Sequence, residues 1–223
     1  MQLFFHIIGM VDVKQFYFNP LRECTYIVWD ESSEAVIIDP GCHTASEEER
    51  VVRFIAEKEL KPVAMLLTHG HFDHVMGVDF VDKKWHLPLY MNRTDVTHML
   101  KAAEQCRFFR IPASFADESR LDIKQVSDGD SIKFGNTKIE VLATPGHTAG
   151  GVCYYISESG LLFSGDTLFE GRIGRTALEG GNFPQLIESI QTKLLVLPDA
   201  VKVFPGHGYA TTIEEEKAHN PYL

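Results

Sequence analysis

The segment Thr68-His69-Gly70-His71-Phe72-Asp73-His74 places three histidines and one aspartate within six consecutive positions. Imidazole nitrogen and carboxylate oxygen are donors suited to zinc, iron and manganese. One or two metal ions would satisfy all four side chains at once, whereas a plain polar loop would leave each to find its own partner. His147, Asp166 and His207 extend the pattern. Each follows a glycine (Gly146, Gly165, Gly206), and each stands just past an apolar run, at 138–142, 161–163 and 201–204. Glycine permits turns that other residues resist and lets backbone approach a bound group. A lone Pro-Gly-His or Ser-Gly-Asp is an ordinary turn. Repeated beside the 68–74 segment, these turns point to ligands delivered by several strand ends to one rim.

Five histidines and two aspartates exceed the three protein ligands of a mononuclear catalytic zinc site. They suit two divalent ions about 3.5–4 Å apart that share a solvent molecule. Asp166, at the end of its own strand, is the natural shared carboxylate. Such a pair lowers the pKa of bound water and polarises a carbonyl oxygen. His6, His43, His86, His98 and His219 lack the strand-glycine setting and read as structural or exposed.

The elements that must position these residues show in the apolar periodicity. Strands are expected at 2–8, 15–18, 25–29, 35–38, 63–67 and 87–90, then at 131–134, 138–142, 152–156, 161–163 and 201–204. Helices are expected from an N-cap at Ser46 to a stop at Lys61-Pro62, and at 75–85, 94–105, 184–194 and 213–218. Residues 107–126 read as irregular. Their aromatic cluster around Phe108 and Phe109 fits a core-filling loop, with a lid over the site as the alternative. The two halves look alike, each a run of strands leading into helices. That suggests an α/β layered sandwich of sheets with helices outside, in one domain over 1–223.

At 223 residues the chain can bury one sizeable core. A net charge of -10 argues against nucleic acid as the main partner. No apolar run approaches a membrane span. The apolar start lacks a basic region and reads as a strand, not a signal peptide. Cys24, Cys42, Cys106 and Cys153 form no Cys-x-x-Cys pair, which fits a reducing cytoplasm.

The residues resemble the metallo-β-lactamase fold, and within it the short, single-domain glyoxalase II (hydroxyacylglutathione hydrolase) branch. The resemblance rests on Ile37-Ile38-Asp39-Pro40-Gly41, the 68–74 segment and Thr144-Pro145-Gly146-His147-Thr148. It rests also on the run from Ser164-Gly165-Asp166 to Gly174-Arg175-Thr176, on Pro205-Gly206-His207-Gly208, and on the ending Asn220-Pro221-Tyr222-Leu223. It implies a four-layer αβ/βα sandwich with two metal ions at one edge, zinc first, with iron or manganese as alternatives. It implies His69, His71 and His147 on one ion, Asp73, His74 and His207 on the other, Asp166 between them, and Asp39 orienting a ligand histidine. The implied reaction is hydrolysis of a small-molecule thioester by hydroxide held between the ions, with Asp73 orienting the hydroxide.

The chain departs from the longer members of that branch in two ways. It ends soon after His207, without the helical C-terminal domain that helps bind glutathione. Thr176 and Ala177 stand where those members carry aromatic side chains. Arg175, and secondarily Arg172, are the candidates to meet a substrate carboxylate, since guanidinium pairs with carboxylate through two hydrogen bonds. The competing assignments are a mononuclear-iron persulfide dioxygenase, a β-lactamase and a non-catalytic metal-binding protein.

Overall fold

The computed structural model describes residues 11–111, 115 and 118–223. The strand expected at 2–8 and part of the 107–126 segment lie outside them. The first sheet contains β1 (Asp12–Phe18), β2 (Glu23–Trp29), β3 (Glu34–Ile38), β4 (Lys61–Leu66), β5 (Leu89–Met91) and β6 (Ile123–Gln125), hydrogen-bonded in that order. Pairing is antiparallel from β1 to β3 and parallel from β3 to β6. The second sheet is built from β7 (Ser131–Phe134), β8 (Thr137–Ala143), β9 (Val152–Ile156) and β10 (Leu161–Gly165). A hairpin of β11 (Leu168–Phe169) and β12 (Arg172–Ile173) then stands apart, and β13 (Lys202–Pro205) and β14 (Thr211–Thr212) complete the sheet.

Successive side chains of a strand point to opposite faces, so a strand apolar throughout must be covered twice. Ile27, Ile37 and Met65 face helices α1 (Ala45–Glu57), α2 (Phe72–Val75), α3 (Val78–Trp85), α4 (Arg93–Leu100) and α5 (Ala102–Phe108). Their neighbours Tyr26, Ile38 and Leu66 face the other sheet, where they meet Val141, Tyr154 and Phe163. On its far side that second sheet turns Leu162 and Val203 toward α6 (Phe183–Ser189) and α7 (Ile213–His219). The result is the α/β, four-layer αβ/βα sandwich. Among the described residues, no helix is long and apolar enough to cross a membrane.

Several local expectations are corrected by long-range contacts. The N-cap of helix α1 is Thr44, not Ser46. Thr44 caps the Glu47 amide at 3.3 Å, while the Glu47 carboxylate turns back to accept the His43 and Asn19 amides, each at 2.9 Å. Lys61-Pro62 does not stop α1; the helix ends at Glu57, and Lys61-Pro62 opens β4, where the pairing register slips opposite Ala35. The single helix expected over 75–85 is broken at Gly77, whose N–H bonds the Pro40 carbonyl at 2.7 Å. The helix expected over 94–105 is divided at Lys101 and runs on to Phe108. Phe108 and Phe109 are exposed and do not fill the core, whereas Ile111 and Phe115 of the same stretch pack against it.

The two sheets are fastened together at one rim. Tyr154, fully buried in β9, places its hydroxyl 2.9 Å from the Leu67 carbonyl and 3.2 Å from that of Tyr90. The Val152 amide bonds the Thr68 carbonyl at 2.9 Å. Across the interface, the Tyr26 hydroxyl donates to the Pro205 carbonyl at 2.6 Å, and the Cys24 amide to Gly206 at 2.7 Å. Away from this rim, Asp30 is buried and accepts from the Ser32 and Asn136 amides and the Thr137 hydroxyl at 2.9, 2.7 and 3.0 Å. Burial alone would lift its pKa, but these hydrogen bonds outweigh burial and hold the carboxyl below its ordinary value.

Tyr154→Phe removes the hydroxyl between the sheets and leaves buried carbonyls short of a donor; the expected loss is about 1 kcal/mol, read as a lower urea midpoint at unchanged slope. The Asp30 contribution is complete above the unfolded aspartate pKa of about 3.9 and is lost as pH falls through the lower folded value. Asp30→Asn is therefore less stable than the parent at pH 7, and the gap narrows toward pH 3; urea melts at both pH values check this.

Candidate metal centre

The rim where the sheets are fastened is also where the strands release the predicted site residues. β4 runs through Leu67 and Thr68 into His69, His71, Asp73 and His74, the last two on α2. β8 leads to His147, β10 to Asp166, β13 to His207 and β3 to Asp39. The close approach has a steric condition: a Cβ on Gly206 would collide with the Asp166 carboxylate and the His74 ring. Gly165 takes a positive φ of 49° with its α-carbon against Thr68.

All seven expected ligand residues converge. Potential donor atoms of His69, His71 and His147 lie within 4.8 Å of one another, as do those of Asp73, His74 and His207. Asp166 stands between the groups. Its Oδ2 is 3.6 Å from His147 Nε2, and its Oδ1 is 3.4 Å from His74 Nε2 and 3.8 Å from His207 Nε2. Asp73 Oδ2 lies 3.2 Å from His207 Nε2.

Oxygen acceptors decide which ring nitrogen faces inward. Asp39 Oδ1 accepts the Thr68 amide at 2.7 Å, and its Oδ2 accepts the Thr68 hydroxyl at 2.6 Å and His74 Nδ1 at 3.0 Å. Because the Thr68 proton goes to Asp39, its oxygen is left to accept from His69 Nδ1 at 3.1 Å. His147 Nδ1 donates to the Arg175 carbonyl at 2.7 Å and His207 Nδ1 to the Leu21 carbonyl at 3.2 Å. In these four rings Nδ1 has an oxygen acceptor, which leaves Nε2 as the nitrogen facing the centre. His71 is turned the other way, with Nδ1 2.9 Å from His147 Nε2.

This donor set fits metal ions. His69 Nε2, His74 Nε2 and Asp166 Oδ1 are buried and have no hydrogen-bond partner, although buried polar atoms are nearly always paired. Charge is equally confined. Burial would lift the Asp166 carboxyl, but His74 and His207 outweigh it and hold it well below the usual range. Burial disfavours charge on His74, yet Asp73, Asp166 and Asp39 raise it well above an ordinary imidazole. Burial and then the other imidazoles push His69 well down, and burial with His147 takes His71 to about 3. The carboxylates thus concentrate negative charge where the imidazoles turn a ring nitrogen, and a divalent cation there would take the place of the imidazole protons.

A cavity of about 780 Å³ opens over this cluster. Its lining includes Phe72, Phe109, Phe169 and Ile173, and also the two sequence-predicted arginines, Arg172 and Arg175. Both arginines come from the β11–β12 hairpin and the residues after it, and neither guanidinium has an ion-pair partner among the described residues. Phe109 stacks on Phe72, with centroids 5.3 Å apart, so this end of the 107–126 segment forms a cavity wall.

Sequence patterns did not reveal three further residues. His98, expected to be structural, lines the cavity and packs edge-on against His71 at 5.7 Å. Asp95 is fully buried in the first turn of α4, where an acidic residue reads as ordinary helix-end chemistry. Glu23 is fully buried beneath Gly41, and burial first, then Asp39, raises its carboxyl well above normal against a lowering by His74. Nothing in its local sequence marks it.

A family model described as metallo-beta-lactamase superfamily matches residues 21–207. The chain is 37% identical over 210 residues to the probable metallo-hydrolase YqgX of Bacillus subtilis, covering 92% of this chain and 94% of the relative. It is 37% identical over 198 residues to the hydroxyacylglutathione hydrolase GloC of Haemophilus influenzae, covering 88% and 91%. Among solved structures it resembles BLEG-1 B3 metallo-beta-lactamase, with TM-score 0.86, 36% identity and coverage of 95% and 99%. It also resembles TTHA1623 in a di-iron-bound form, with TM-score 0.84, 33% identity and coverage of 94% and 100%. With a family match from Leu21 to His207 and relatives aligned over nearly their whole length, the chain belongs to the metallo-beta-lactamase superfamily.

Proposed function

We propose that this protein is a metal-dependent hydrolase of small-molecule acyl thioesters that works with two divalent ions. The observation that carries this is the pair of three-residue donor groups with Asp166 between them. His69, His71 and His147 would hold one ion, Asp73, His74 and His207 the other, and Asp166 both. When bound, such a pair supplies hydroxide from water near neutral pH and polarises a carbonyl oxygen. The Asp39, Arg175 and Leu21 oxygens keep the histidine rings in the required tautomer and orientation.

The chain's own groups favour a leaving group that departs as an anion. Burial raises the Asp73 carboxyl, but His74 and the His207 hydrogen bond outweigh it, and Asp166 is held lower still. Both carboxyls are ionised near neutral pH and have no proton to give. A thiol, with a pKa of about 8.5, leaves as thiolate far more readily than an alcohol leaves as alkoxide. Phe72, Phe109 and Ile173 give the cavity apolar lining for the non-polar part of a substrate. Arg172 and Arg175, which line the cavity, offer their guanidinium groups to a substrate carboxylate.

The purified protein is expected to carry about two divalent ions per chain. Asp166→Ala is expected to lower that content and abolish hydrolysis across a thioester panel that includes S-lactoylglutathione and coenzyme A thioesters. Metal quantification and thiol release check both. One iron per chain with oxygen uptake on a persulfide would instead assign a dioxygenase, turnover of nitrocefin alone a β-lactamase, and metal without turnover a binding protein. Arg175→Ala is expected to raise KM for a carboxylate-bearing thioester by roughly tenfold, about 1.4 kcal/mol, while kcat stays near the parent value. Equal KM values for parent and variant would remove Arg175 from substrate binding.

A further inference from the structure

Asp95 belongs to neither donor group, yet it touches the segments that carry one of them. Its carboxylate is fully buried, and both oxygens accept backbone N–H bonds: Oδ2 from Gly70 at 2.9 Å and Oδ1 from Gly150 at 2.7 Å. Gly70 separates His69 from His71, and Gly150 lies in the turn that follows His147. A single charged side chain therefore grips both loops of the three-imidazole group. Carboxylate acceptors make the stronger, shorter class of hydrogen bond.

The contact is close on both sides. A Cβ on Gly70 would collide with the Asp95 carbonyl, and one on Gly150 would lie 2.6 Å from Asp95 Oδ1. His98, one turn further along α4, has Nδ1 3.7 Å from Asp95 Oδ1 and Nε2 3.1 Å from the Glu179 carbonyl. Its ring then meets His71 edge-on. Asp39 reaches both groups, bonding His74 directly and His69 through the Thr68 hydroxyl. The Asp95 carboxylate, by contrast, hydrogen-bonds only the loops of the three-imidazole group among the described residues.

We propose that Asp95 is a positioning residue that fixes the spacing between the His69–His71 segment and the His147 loop, and so sets the affinity of the three-imidazole group for its ion. This rests on the assignment of His69, His71 and His147 as ligands of one ion. A general stabilising role would weaken both donor groups alike; the positioning role weakens one.

The test uses zinc alone, measured by competition with a chromophoric chelator, in two parent variants. H207A keeps the three-imidazole group intact, and H71A keeps the group of Asp73, His74 and His207. Adding D95N, which has the shape of aspartate but only one acceptor oxygen, is expected to weaken zinc by about 10–100-fold in the H207A parent. In the H71A parent the change is expected to stay below about threefold, well under that cost of a lost supporting hydrogen bond. D39N, which loses support for both groups, is expected to weaken zinc in both parents. Asp95→Ser carries the same expectation as D95N and replaces it if D95N does not fold, with circular dichroism as the check. Equal weakening in both parents, or none in H207A, overturns the proposal. An H207A parent that binds no zinc removes the ligand assignment itself, and the proposal falls with it.

Discussion

Ionisable side chains withdrawn from water must neutralise one another or bind a counter-ion, because an isolated buried charge is too costly to keep. Here Asp39, Asp73 and His74 are buried together, with Asp166 against them, and the other imidazoles close the cluster. Their charges are mutually determined: the carboxylates lift His74, and His74 holds Asp73 and Asp166 down. The arrangement still leaves inward-facing nitrogen and oxygen atoms without partners. A divalent cation resolves that remainder with one kind of interaction, which is why the donor set and the family membership agree.

Such a cluster tolerates little displacement, and the fold supplies the stiffness. Both sheets end at the same rim, and hydrogen bonds from Tyr154, Val152, Tyr26 and Cys24 cross between them beside the site. The donor-bearing loops are short continuations of buried strands. Glycines at 165 and 206 let these loops lie against neighbouring side chains with no room for a Cβ. Precision at the centre therefore comes from packing between sheets and from buried aspartates that tie loop to loop.

The candidate donors and the arginines of the cavity wall are housed differently. The donor groups come from strand ends embedded in the sandwich, whereas Arg172 and Arg175 come from the β11–β12 hairpin and the residues after it. Arg175 connects the two: its carbonyl fixes the tautomer of His147, and its side chain lines the cavity. A change in this segment can alter what is bound while the donor set stays intact, as expected for loops carried on a rigid scaffold.

The sequence by itself pointed to seven candidate donor residues, to the layered fold and to the placing of each candidate after a strand. These are matters of local chemistry: imidazole and carboxylate at fixed spacing, apolar alternation, and glycine where a turn must pass close to a neighbour. Asp39 was singled out only by the resemblance to the metallo-β-lactamase fold. Only the tertiary structure decided which nitrogen of each ring faces inward, since the acceptors of His147, His207 and His74 come from residues 175, 21 and 39. It likewise decided the break at Gly77, where a carbonyl from the 39–41 turn takes the amide that a continuous helix would have used. Asp95 and His98 became visible only when α4 was laid against the 68–74 segment and the Gly150 turn. Contacts between residues far apart in the chain leave no local pattern, and those contacts turn a set of donor residues into a centre with a defined geometry.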